Sequence, residues 1–265
     1  MPSWTEVIPD AILASLYSYL LIRIAASSDP YFKKPFYTFF MSTGLYSILS
    51  VVTFHPLVQF AYTEEHWTHY IYKISYSLNI FGANGATFGK AFMAIHRYFV
   101  LKNSDYAEKK WSKALIHRLL IKQFVFSAVL TAPVYPAAYT YQEDVIVALS
   151  PKHTLILKSF SVTAYVIYII CNAVCLVLIL REHCILHGKI VLQHFSTTLF
   201  AEQRNLFIVV IVSSLCYLIK ALHQATVSSF TINLSLSISR NVSFQYPIVN
   251  GIATYAPPIC LVLFS

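Results

Sequence analysis

From Tyr70 to Val100 the chain reads YIYKISYSLNIFGANGATFGKAFMAIHRYFV, with no Asp or Glu in the stretch. As a helix rising about 1.5 Å per residue it is longer than the roughly 30 Å of hydrocarbon in a bilayer. Asn79, Ala83, Ala86, Lys90 and Arg97 recur at helical spacing, so one face is polar or small-sided. Gly82, Gly85 and Gly89 add positions at which a neighbouring helix can come close. The pattern predicts a membrane helix placed inside a bundle, with one end marked by His96-Arg97-Tyr98 and the basic loop that follows.

The rest of the chain has the same character. Of 265 residues, 57% are hydrophobic and 11% are charged, and the mean hydropathy is +0.61. Soluble domains carry about 25% charged residues, so this chain cannot cover itself with a water-soluble surface and takes lipid as its solvent and partner. Apolar blocks long enough to span lie at about 7–26, 36–62, 70–100, 114–139, 153–180, 205–232 and 244–264. The reading is an all-α membrane protein, a seven-transmembrane helix bundle forming a single domain over residues 1–265. Pro56, Pro133, Pro136, Pro247, Pro257 and Pro258 fall inside these blocks, where packed membrane helices can re-satisfy the freed carbonyls.

The loops fix the expected orientation. Lys33, Lys34, Arg97, Lys102, Lys109, Lys110, Lys113, Arg181, Lys189 and Arg204 mark the odd-numbered loops, against Lys152 and Arg240 in the even-numbered ones. Basic loops stay in the cytoplasm, which places the N-terminus outside. The glycosylation acceptors Asn233 and Asn241 then both fall in the last outside loop. Met1 to Asp10 has no Lys or Arg and no small-residue cleavage site after a short apolar core, so no cleaved signal peptide is expected. None of the five cysteines falls in an outside loop, so no disulfide framework is expected, and Cys184 is a candidate for S-palmitoylation.

Polar groups inside the spans are the candidate ligand contacts. On the sixth span Ser213, Cys216, Tyr217, Lys220, His223 and Gln224 share one helical face. Lys220 lies roughly 23 Å beyond the start of that helix, too deep to reach the nearer headgroups easily, and an intramembrane cation is a functional-site hypothesis by default. The competing account is snorkelling toward the opposite headgroups. Tyr76, Asn79, Tyr165, Tyr168, Asn172, Tyr246 and Asn250 add polar groups on the third, fifth and seventh spans. Together they would line an amphipathic pocket; taken singly, each is as well explained as an interhelical hydrogen-bond partner. The second span, the outer parts of the third and fifth, and the seventh contain no Asp or Glu, so a ligand that is a small organic acid or another acceptor-rich odorant is the expected partner of Lys220.

Other functions fit less well. The net charge of +8 does not point to nucleic acid, because the basic residues lie between apolar blocks instead of on a soluble face. His183 and His187 stand four apart, but Cys184 occupies the place where a zinc protease needs Glu, so neither enzyme nor metal site is expected, and no cofactor. Lys90 and Lys220 would also suit a transporter or channel, the alternative reading, although the two halves show no paired broken helices. A retinal protein would need a lysine on the last span, which has none.

An N-out seven-span chain with Arg97-Tyr98 closing its third span resembles a G-protein-coupled receptor. The stretch Gly89-Lys90-Ala91-Phe92-Met93-Ala94-Ile95-His96-Arg97-Tyr98-Phe99-Val100, followed by Lys109-Lys110-Trp111-Ser112, is similar to the nematode serpentine chemoreceptors of the V and gamma classes, and more to class V. The resemblance implies a sensory receptor of the plasma membrane or cilium, an odorant-like or pheromone-like small-molecule ligand, and a heterotrimeric G protein as partner. It further implies that His96, Arg97, Tyr98, Lys109 and Lys110 form the coupling face. The chain departs from rhodopsin-like receptors at several points: His96 replaces the usual acid, Leu215-Cys216-Tyr217-Leu218 replaces Cys-Trp-x-Pro, and Asn-Pro-x-x-Tyr is missing from the last span.

Overall fold

The structure is a computed structural model that describes residues 4–60, 66–102, 110–134, 139–142, 145–148 and 246–264, with parts of 166–185 and 208–226. Helix α1 runs Trp4–Ala26, α2 Pro35–Phe60, α3 His66–Lys102 and α4 Lys113–Thr131, and a C-terminal helix spans Tyr246–Phe264. The described residues between 166 and 185 and between 208 and 226 are helical as well. Pro35 opens α2, where its missing N–H costs nothing and its fixed φ suits the first turn. Ser112 caps α4 by accepting from the Leu115 amide at 3.3 Å.

Burial is inverted relative to a soluble protein. On α4 the buried residues are Gln123, Ser127 and Thr131, four apart on one face, while Ile121, Phe124, Phe126 and Val129 are exposed. Helix α1 likewise exposes Ile8, Ile12, Leu16, Tyr19 and Ile22. In water such faces would be an aggregation hazard; in hydrocarbon they cost nothing. Pro35–Pro56 and Lys113–Val134 are each long and apolar enough to cross a bilayer.

The close approach predicted for the third span is made against α2. A Cβ on Gly82 would come 2.7 Å from the Tyr46 carbonyl oxygen and 2.8 Å from the Ser50 nitrogen. Gly85 lies against the Tyr46 ring, and Gly89 against Thr43 and Gln123. Without side chains at these three positions the two backbones come near enough for side chains to bond across the seam. Asn79 Nδ2 donates to the Ser50 carbonyl at 2.6 Å. Gln123, fully buried, donates to the Gly85 carbonyl at 2.7 Å and accepts from Ser42 Oγ at 3.0 Å, so one side chain ties α2, α3 and α4.

Cross-helix contacts fix the running directions. Asp10 near the start of α1 meets His55 near the end of α2 and Tyr255 on the C-terminal helix. On α3, Gly82 lies against Ser50 and Gly89 against Thr43 of α2, so α1 and α3 run together and α2 runs against both. Val209 joins the core cluster that also holds Phe36 and Trp111, and Lys220 reaches Asn250, which packs the helical residues from 208 onward and the C-terminal helix into the same bundle.

The expected fourth span is corrected at its end. The apolar block carries it to about residue 139, but α4 stops at Thr131 and passes through a 3-10 turn at Ala132–Val134, and a β-hairpin follows from Tyr139. Strand β1, Tyr139–Gln142, pairs antiparallel with β2, Val145–Ala148. Pro133 has no amide to give to the Val129 carbonyl, which accepts instead from the Ala132 amide, so the α-helical ladder tightens into the 3-10 turn although Ala132 keeps helical φ/ψ. Pro56, Pro257 and Pro258 are carried inside helices, as expected.

Candidate functional site

Among the described residues, three polar groupings lie along the bundle axis. In the middle, α3, the helical residues around 220 and the C-terminal helix bring together Lys90, Lys220 and Asn250, which are only 5%, 3% and 3% exposed. Pro257 has no N–H to give to the carbonyl four residues earlier, that of Ala253. Lys90 Nζ donates to that carbonyl at 3.0 Å. Lys220 Nζ donates to Asn250 Oδ1 at 2.5 Å. Asn250 and Ala253 are three apart, neighbours on one helix face. Two cations are thus drawn to one face of a proline-interrupted helix, within electrostatic reach of each other and of Cys216.

Toward the start of α1, Asp10 forms a second node. Its Oδ2 lies 3.1 Å from His55 Nε2, and its backbone carbonyl accepts from the Tyr255 hydroxyl at 3.1 Å. The arrangement joins α1, α2 and the C-terminal helix. Sequence reasoning missed it: Asp10 and His55 stand near the ends of their spans, where polar residues are ordinary.

At the opposite end Arg97 is 4% exposed, its guanidinium carbon 5.4 Å from the centre of the Phe36 ring. His96 meets Trp111 edge-on at 4.9 Å, and Trp111 also meets Phe39 edge-on at 5.8 Å. Among the described residues, His96 Nδ1 and Trp111 Nε1 are buried without a hydrogen-bond partner. Lys102 Nζ and Lys110 Nζ remain exposed, over the rings of Tyr98 and Phe99. This end is an aromatic cap over one arginine, rimmed by cations.

The sequence-predicted ligand contacts separate on the structure. Lys220 and Asn250 meet directly, and His223 lies one turn from Lys220. Asn79 is committed to the α2 seam, and Tyr76 stacks on Tyr72 at 6.0 Å. Tyr165, Tyr168, Asn172, Tyr217, Gln224, Lys109, Asn233 and Asn241 lie outside the described residues, as does the side chain of Tyr246. Lys90, read from sequence as part of the α3 stripe, belongs with Lys220. The signal was present in Pro257, which frees a carbonyl within reach of a buried donor.

Apolar faces turned outward, polar residues turned inward, and antiparallel packing of α1 on α2 and α2 on α3 define a multi-pass helical membrane protein with charged groups in its interior. Residues 11–265 match the serpentine type 7TM GPCR chemoreceptor Srv family, and the chain belongs to that family. The class V resemblance read from residues 89–112 and the seven-transmembrane fold are thereby established. A search of curated proteins gives no match.

Proposed function

We propose that this chain is a plasma-membrane chemosensory receptor that binds an external small molecule within its helix bundle and signals to a cytoplasmic heterotrimeric G protein. Membership of the chemoreceptor family supports the class. The observation that carries the mechanism is that Lys90 and Arg97 stand on one continuous helix, α3, two turns apart. A ligand that moves Lys90 relative to the C-terminal helix displaces the same rigid rod that holds Arg97 under its aromatic cap. Signal transfer then needs only a small shift of α3 to uncover Arg97. Lys220, His223 and Asn250 serve as the ligand-facing groups, with Tyr76 and the polar residues of the fifth span nearer the outside. His96, Arg97, Tyr98, Lys109 and Lys110 form the coupling face, where cations meet complementary charge on a partner.

The test is ligand-stimulated nucleotide exchange on G proteins in membranes containing the receptor, with ion current recorded in parallel. Arg97→Ala, and separately neutralisation of Lys109 and Lys110, are expected to lower exchange while surface level and ligand affinity hold. Unchanged exchange in Arg97→Ala, or a ligand-gated current without exchange, would remove the coupling role.

A further inference from the structure

The geometry points to a binding site for the phosphate of an anionic phospholipid of the phosphatidate type, gripped by Arg118 and Lys122 on the lipid-facing side of α4. Most of Lys113–Val134 lies on the outside of the bundle. Its buried stripe is Gln123, Ser127 and Thr131. On the opposite face Arg118 and Lys122 are exposed one turn apart, in line with the exposed Val125 and Val129. The outward face therefore begins in cations and continues in hydrocarbon side chains. Helix α4 holds no Asp or Glu, and among the described residues neither cation is paired with an acid. A guanidinium and an ammonium turned toward acyl chains, roughly 7 and 13 Å along the helix from its start, are costly there. Like charges four residues apart also repel.

One phosphate between the two side chains offsets both costs. Side chains of a helix lean toward its N-terminus, and α4 starts beside Trp111 and His96 at the Arg97 end, so both long stems reach back to that membrane surface. Arginine presents a planar fork that matches phosphate oxygens, and lysine adds a point charge. A zwitterionic headgroup brings its own cation to the phosphate and so balances neither side chain. Phosphatidate carries its phosphate directly on the glycerol, next to the acyl chains, where a deep pair of cations can meet it. With the Arg97 end taken as cytoplasmic, the lipid belongs to the leaflet that holds the anionic lipids. The site goes beyond the receptor reading and relies on it only for the choice of leaflet; lipid binding is measured in micelles, with no sidedness and no G protein, so the two fail separately.

The experiment immobilises the full chain in uncharged detergent micelles and follows tritiated dioleoyl phosphatidate by scintillation proximity at constant ionic strength. Saturable binding is expected, displaced by unlabelled phosphatidate but by neither dioleoyl phosphatidylcholine nor inorganic phosphate. The double variant Arg118→Gln, Lys122→Gln should raise the half-saturating concentration about tenfold or more, as the loss of two cations at a membrane surface requires. Arg118→Lys with Lys122→Arg keeps both charges and should stay near the wild type. Arg23→Gln removes another exposed cation, in the last turn of α1 at the same end of the bundle, and should also stay near the wild type. Wild-type selectivity tests the site even if the double variant fails to fold: equal displacement by phosphatidylcholine would overturn it, and displacement by inorganic phosphate would show that no lipid is needed. Wild-type affinity in the double glutamine variant, or an equal loss in Arg23→Gln, would show that α4 does not form the site.

Discussion

Proline at 257 leaves the Ala253 carbonyl without its helical donor, and Lys90 takes that acceptor from another helix. The bond and the proline should therefore be energetically coupled. In a double-mutant cycle of Lys90→Met and Pro257→Ala, read by reversible unfolding in mixed micelles, the cost of losing Lys90 should shrink by about 0.5–2 kcal/mol when position 257 has its N–H back. Strict additivity would show that the Lys90 bond does not depend on the carbonyl that Pro257 leaves free. Gln123 offers a second case, since its amide serves Gly85 on one side and Ser42 on the other. Gln123→Leu should cost about 1–2 kcal/mol, the range for interhelical hydrogen bonds in membrane proteins, in the same unfolding measurement. Lys220 was legible in the sequence because a charge deep in an apolar block is costly wherever the helix turns. Gln123 was not, because an uncharged amide carries no such penalty signal until its partners on two other helices are known. The Asp10–His55–Tyr255 node was hidden for the same reason, its members being 45 and 200 residues apart along the chain.

The α2–α3 seam depends on three glycines, and they differ in what surrounds them. At Gly82 the neighbours are backbone atoms of α2, which cannot rotate away, whereas Gly85 faces the ring of Tyr46. Gly82→Ala should therefore push the helices apart at a cost of about 1–3 kcal/mol and lower the amount of receptor at the cell surface. Leu78→Ala, on the partly exposed face of the same helix, should change stability by no more than about 0.5 kcal/mol. Equal surface levels for the two variants would mean that the seam tolerates a wider separation. The spans themselves were readable because lipid demands long apolar runs, and the glycine stripe of α3 announced a close neighbour without saying which helix it was. The end of α4 was misread, since proline inside an apolar block has two outcomes: it is carried within the helix where the chain stays helical on both sides, as at Pro257, and it ends the helix where a turn follows, as at Pro133. The β-hairpin was equally hidden, its alternation too short to stand out beside seven helical periods.

Charge, packing and direction meet at the two ends of the bundle. With α1 and α3 running together, the Asp10 end and the Arg97 end lie at opposite ends of the bundle, and the loop charges lead us to propose that the Arg97 end is the cytoplasmic one. An N-terminal epitope should be reached by antibody on intact cells, and an epitope inserted near Lys109 only after permeabilisation; the reverse pattern would put Arg97 outside and end the coupling proposal. Arg97 is buried beneath Phe36 and beside the Trp111 cluster, and on the proposed function this contact holds the coupling face shut. A guanidinium over an aromatic ring is worth about 0.5–2 kcal/mol, depending on how far it is desolvated. Phe36→Ala removes the ring while leaving Arg97, Lys109 and Lys110 in place, and so should raise the population of the open state by roughly 2- to 30-fold, since about 1.4 kcal/mol corresponds to a factor of ten. Basal nucleotide exchange without ligand, normalised to receptor at the surface, is the measurement, and Phe36→Tyr, which keeps a ring, should stay near the wild-type level. Basal exchange that is unchanged in Phe36→Ala at normal surface level would show that the contact does not restrain Arg97, and that the cap is packing alone.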